Sequence, residues 1–120
     1  MKLMSIDKNL TYKVWFNKSE KEALTRGIDF LIKDIEIELF TRTGFNLEQY
    51  RVLSKYLLDQ SSTCINLTKE QLIMLQQLLN EICYGIFIDD FEKKIGLQLI
   101  QLRKMHEQIS NFIDKSSVHL

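Results

Sequence analysis

The chain contains no proline and only four glycines among its 120 residues. Few breakers means few interruptions, so long helices are favoured over many short strands. The apolar pattern agrees. Leu24, Ile28, Leu31, Ile35 and Leu39 recur every three or four residues and define one helical face. Asn17 or Ser19 can cap that helix, and Ser19 with Glu22 has capping-box spacing. Gly27 inside the pattern costs about 1 kcal/mol against alanine and marks a bend. The stretch IEIEL, residues 35–39, also fits a strand by its period of two. The longer 3.6-residue period runs through it, so a helix is expected there.

Gly44 closes this helix in the left-handed conformation that glycine adopts cheaply. Asn46 with Gln49 opens a second helix, with Leu47, Tyr50, Leu53 and Leu57 facing inward. Thr68 with Gln71 opens a third, with Leu72, Leu75, Leu79 and Ile82 as its stripe. Gly85 permits a bend, residues 86–95 form a short helix, and Gly96 stops it. A last helix spans 98–114, with Leu102, Met105, Ile109, Phe112 and Ile113 inward, and the tail KSSVHL frays. Outside the helices, Tyr12, Val14 and Phe16 alternate as in a strand. Asp7-Lys8-Asn9 can turn residues 3–6 back onto it, and residues 64–67 offer another brief extended piece. The expected fold is a mainly α, single-domain helical bundle over residues 1–120, with a short N-terminal β-hairpin.

Two stretches resemble one another, ELFTRTGF and DDFEKKIGL. With Gly44 set on Gly96, an offset of 52 residues, Leu47, Gln49 and Arg51 meet Leu99, Gln101 and Arg103. Glu38 precedes Arg42, and Asp90 precedes Lys94, by four residues, the favourable acid-before-base order on a helix. Two helix–glycine–helix units, about 19–60 and 71–114, form a pseudo-symmetric bundle on this reading.

No catalytic constellation is present. His106 lies at the edge of an apolar stripe, His119 lies in the tail, and neither cysteine has a histidine nearby in sequence. Asp89, Asp90 and Glu92 cluster, but without the glycine and spacing of a calcium loop. The expectation is a protein that is not an enzyme and carries no cofactor or metal. Cys64 and Cys83 read as free thiols. MKLMSIDKNL has no apolar signal-peptide core, and no apolar run approaches the ~20 residues of a membrane span, so a cytoplasmic location is expected.

The 16 basic and 16 acidic residues balance, which argues against direct nucleic-acid binding. The balance is uneven along the chain. Residues 70–92 contain no lysine or arginine, yet carry Glu70, Glu81, Asp89, Asp90 and Glu92. Residues 27–41 set Asp29, Asp34, Glu36 and Glu38 against Lys33 alone. Aromatics interleave the acids, and a surface of carboxylates and exposed rings suits a basic protein partner. Glu36, Glu38, Glu81, Tyr84, Phe87, Asp89, Asp90 and Glu92 are the candidate contact residues. The same acids can equally be a solvated face over an aromatic core.

The run LTKEQLIMLQQLLNEICYGIFIDDFEKKIGL resembles small bacterial immunity proteins of polymorphic and contact-dependent growth-inhibition toxin systems. The resemblance rests on Leu67, Thr68 and Glu70, then Leu79, Asn80 and Glu81, then Gly85 and Ile86, and finally Asp90, Phe91, Lys94, Ile95 and Gly96. It implies an immunity protein that binds and blocks a cognate toxin domain, often a nuclease, with no catalytic residues of its own. The rival expectation is a helical regulatory or adaptor protein acting on a host protein or nucleic acid.

Overall fold

A computed structural model describes residues 1–118, with side chains described as far as Lys115. Three helices begin at reciprocal capping boxes, in which the cap side chain takes an N–H of the first turn and the third helical residue returns the favour. Helix α1 (Lys18–Ile35) is capped by Asn17 with Glu20, α3 (Leu47–Asp59) by Asn46 with Gln49, and α4 (Lys69–Asn80) by Thr68 with Gln71. The first box is therefore not the expected Ser19–Glu22 pair. Ser19 already lies in the first turn, and Glu20 is also held by the Met1 amino group at 2.7 and 2.8 Å.

The helix expected to run unbroken to Gly44 is divided. Helix α1 stops at Ile35, a 3-10 turn covers Glu36–Glu38, and a short α2 (Leu39–Thr43) follows. Ile35 and Leu39 keep the inward face, while Ile37 is thrown outward. Gly27 marks no interruption. It is buried within α1, where an added Cβ would lie 3.7 Å from Leu78 and Ile82. An added methyl would make ordinary van der Waals contact there.

The second departure lies after α4, where the chain widens into a π turn (Glu81–Gly85), closed by Ile86 N–H donating to the Glu81 carbonyl at 2.9 Å. Ile86 is then extended, and only α5 (Phe91–Ile95) is helical in the stretch expected to be one helix over 86–95. Alternation explains this. Ile86 is half-buried, Phe87 exposed and Ile88 buried, which an extended chain satisfies and a helix does not. Helix α6 (Leu99–Val118) continues beyond the expected end at Asp114 and takes in residues 115–118 of the tail expected to fray, whose last two residues, His119 and Leu120, lie outside the described residues.

The hairpin pairs β1 (Lys2–Ile6) with β2 (Thr11–Trp15), turned by Asp7, whose Oδ1 accepts from the N–H groups of Asn9 and Thr11. The extended piece becomes β3 (Cys64–Thr68) and pairs antiparallel with β2, so the sheet order is β1–β2–β3. Tyr12 faces Leu67 and Val14 faces Ile65 in register, and all four are buried against the helices. The fold is thus mainly α, with one three-stranded sheet. One apolar cluster joins them, from Phe16 through Leu31, Leu53 and Leu75 to Ile109.

Candidate functional site

The chain between α1 and α3 is tied to the turn after α4 by Arg42. Arg42, in the last turn of α2, pairs with Glu81 at the start of the π turn and donates to the Gly85 carbonyl at 3.1 Å. It also reaches Glu38, one helical turn before it, at 3.6 Å. Glu81 is only 6% exposed, so its charge is spent inside the protein and not on a surface. Gly85 makes the arrangement possible. A Cβ there would overlap the Glu81 carboxylate, with Cδ at 2.9 Å, and would crowd Arg42 Nη2 at 3.0 Å.

This junction has a polar interior. Thr43 donates to the Leu39 carbonyl at 2.6 Å, and Tyr50 donates to the Met74 carbonyl at 2.9 Å. Burial drives the Tyr50 phenol well above its usual range. The hydrogen bond with Thr43 opposes that shift, and the Glu81 charge adds to it. Burial likewise pushes the Cys83 thiol up to about 11, with Arg103 acting in the opposite sense. A thiol so placed stays protonated at neutral pH and is a poor nucleophile.

Around the junction, apolar side chains stand in solvent. Ile37 is 98% exposed, Phe87 88%, Phe40 64% and Tyr84 59%. Ile37 and Arg42 line one hollow of about 520 Å³, together with Lys33, Asp34, Glu36 and Glu38. Phe87 follows two residues after the Gly85 carbonyl that Arg42 grips. Of the residues expected from sequence, Glu36, Glu38, Phe87, Asp89, Asp90 and Glu92 are exposed, whereas Glu81 is not. Tyr84 is exposed but not free. It packs edge-on to His106 at 5.8 Å, with the Arg103 guanidinium over its ring at 5.1 Å, and so belongs to the flank of α6. Burial lowers the pKa of His106.

The two acid–base pairs expected from the repeat part company here. Glu38 and Arg42 meet, as above. Asp90 adopts a left-handed φ of +50° before α5, and Lys94 extends instead over the Phe30 ring at 5.9 Å. Ile37 and Phe40 were not among the sequence candidates. The signal was present, since Ile37 falls off the stripe of Leu31, Ile35 and Leu39.

Among the described residues, no group of three or more His, Cys, Asp or Glu side chains could hold a metal ion, and no helix is long and apolar enough to cross a membrane. Comparison with family models, curated proteins and solved structures found no match.

Proposed function

We propose that the protein is an immunity protein that binds a cognate toxin domain, such as a nuclease, and blocks its active site or substrate surface. The observation that carries this reading is Phe87, almost fully exposed on a segment fixed at both ends. The π turn and Arg42 hold it on one side, and buried Ile88 holds it on the other. Folding gains nothing from such a ring in water, whereas a partner gains an anchor that is already ordered. The neighbouring carboxylates of Asp89, Asp90 and Glu92 would steer a basic face toward it. A toxin domain that binds nucleic acid needs such a face for its substrate.

The same reading takes the protein to act without catalysis, in the cytoplasm, through protein contact. The test is to sequence the genes flanking this one for a toxin domain and to co-express that domain with the protein; flanking genes that encode no toxin count against the reading. The expected outcome is restored growth and a stable complex on gel filtration. Continued growth arrest with no complex would sink the proposal.

The chain also reads as an internal repeat. Two features support this: α2 and α5 both end on a left-handed glycine, Gly44 at φ +83° and Gly96 at φ +98°. Each is followed by a long helix whose first turn is closed by a glutamine, Gln49 on Asn46 N–H and Gln101 on Gln98 N–H.

A further inference from the structure

We infer that Ile37 and Phe87 are the two apolar anchors of one docking surface, ringed by Glu36, Glu38, Asp89 and Asp90, and that its occupant is a basic protein face with apolar sockets. This deepens the reading above and rests on it. The two anchors come from segments 50 residues apart in sequence. Arg42 brings those segments together, since it lines the Ile37 hollow and also holds the Gly85 carbonyl just before Phe87.

Charge selects the occupant. Glu36, Glu38, Asp89 and Asp90 are exposed, and acids outnumber the cations beside them: Lys33 stands against Asp34, Glu36 and Glu38 in the Ile37 hollow, Lys93 stands beside Asp90 and Glu92, and Arg42 is already engaged by Glu81 and Glu38. A second copy of this chain docking face to face would set carboxylate against carboxylate, which costs several kcal/mol across an interface. A membrane surface, with its anionic headgroups, is disfavoured on the same ground. A basic protein face meets both demands. Its cations answer the rim, and its apolar sockets take the isoleucine and the phenylalanine.

Anchors and rim should fail differently. Truncating an anchor removes desolvated contact and speeds dissociation, whereas reversing rim charges slows association and removes its salt dependence. Ile37→Ser, Phe87→Ser and the triple reversal E36K/D89K/D90K alter only exposed side chains and leave the Glu38–Arg42 contact in place. Helical circular dichroism should therefore match the parent. The probe is the toxin domain identified by the co-expression test above, measured by surface-immobilised binding at low and high salt.

Each anchor variant should weaken binding at least tenfold, mainly in the dissociation rate. The rim variant should slow association at least tenfold at low salt and much less at high salt. Parent-like binding by both anchor variants overturns the inference while leaving the toxin-binding reading intact. Absence of any complex with the parent protein overturns both. A parent dimer in sedimentation that Ile37→Ser or Phe87→Ser dissolves also overturns it, because a second copy would then occupy the face.

Discussion

Two buried tyrosines separate the cost of a hydroxyl from the benefit of a ring. Tyr50 and Tyr12 are both fully buried, but Tyr50 donates to the Met74 carbonyl while the Tyr12 hydroxyl has no partner among the described residues. Tyr50→Phe should therefore cost about 1 kcal/mol, the net worth of a buried hydrogen bond. Tyr12→Phe should cost nothing, or stabilise by up to about 1 kcal/mol, because it removes a polar atom that burial leaves unpaid. Urea unfolding of the two variants tests the difference, and an equal loss in both would show that ring packing outweighs the hydroxyl. The Arg42–Glu81–Gly85 contact allows a sharper test. Glu81→Ala should cost about 2–3 kcal/mol, since it leaves Arg42 short of its buried partner. Gly85→Ala should also destabilise, because its methyl meets the Glu81 carboxylate. The double variant should lose less than the sum, because the clash vanishes with the carboxylate. Strict additivity in a double-mutant cycle would mean that Gly85 matters for its backbone alone. The inward face of Tyr50 was legible in the sequence, and the Arg42–Glu81 contact was not. Glu81 read as a surface acid because its partner lies 39 residues away, and spacing carries no information about a contact at that range.

Local elements were far easier to read, because their determinants lie within one turn. The Asn46–Gln49 and Thr68–Gln71 boxes and the glycine stops at Gly44 and Gly96 all stand where the sequence places them. The breaks at 36–38 and 86–90 escaped because apolar period alone cannot distinguish a continuous helix from one that is interrupted and resumes in phase. The two glycines support a prediction at this scale. Both have positive φ, so Gly44→Ala and Gly96→Ala should each cost about 1–2 kcal/mol in strain. An added Cβ at Gly44 meets nothing within 4 Å, whereas at Gly96 it lies 3.1 Å from Arg26 Nη1. Gly96→Ala should thus be at least as costly, and chemical denaturation that finds Gly44→Ala clearly worse would contradict the account. The third strand was half legible as an extended piece, and its pairing was not. Its edge carries its own protection: Tyr56 donates to the Asn66 carbonyl at 2.5 Å, the Cys64 N–H donates to Ser62 Oγ, and the Thr68 N–H donates to Gln71. The opposite edge strand carries a register break between Leu3 and Ser5. Such devices discourage strand addition, which leaves the helical side with its exposed Ile37 and Phe87 as the better face for a partner.

For the molecule as a whole, the sheet and the helices share one core. Tyr12, Val14, Ile65 and Leu67 from the strands belong to the same buried cluster as Leu24, Leu75 and Ile109 from α1, α4 and α6. A two-layer arrangement of this kind should unfold in one step. The chain supplies two independent probes. Trp15, the single tryptophan, sits on β2 and reports on the sheet, while far-ultraviolet circular dichroism is dominated by the helices. Their urea midpoints and slopes should coincide. A fluorescence transition at lower urea would mean that the sheet peels away first and that the helices form a separate unit. The same experiment bears on the docking surface, because the Phe87 segment is tied to Arg42 from the first half of the chain and to Ile88 in the core. If unfolding is one step, that surface is as stable as the whole molecule. A partner would then bind a face that needs no ordering, and rapid association with little salt-independent barrier is the expected kinetic consequence.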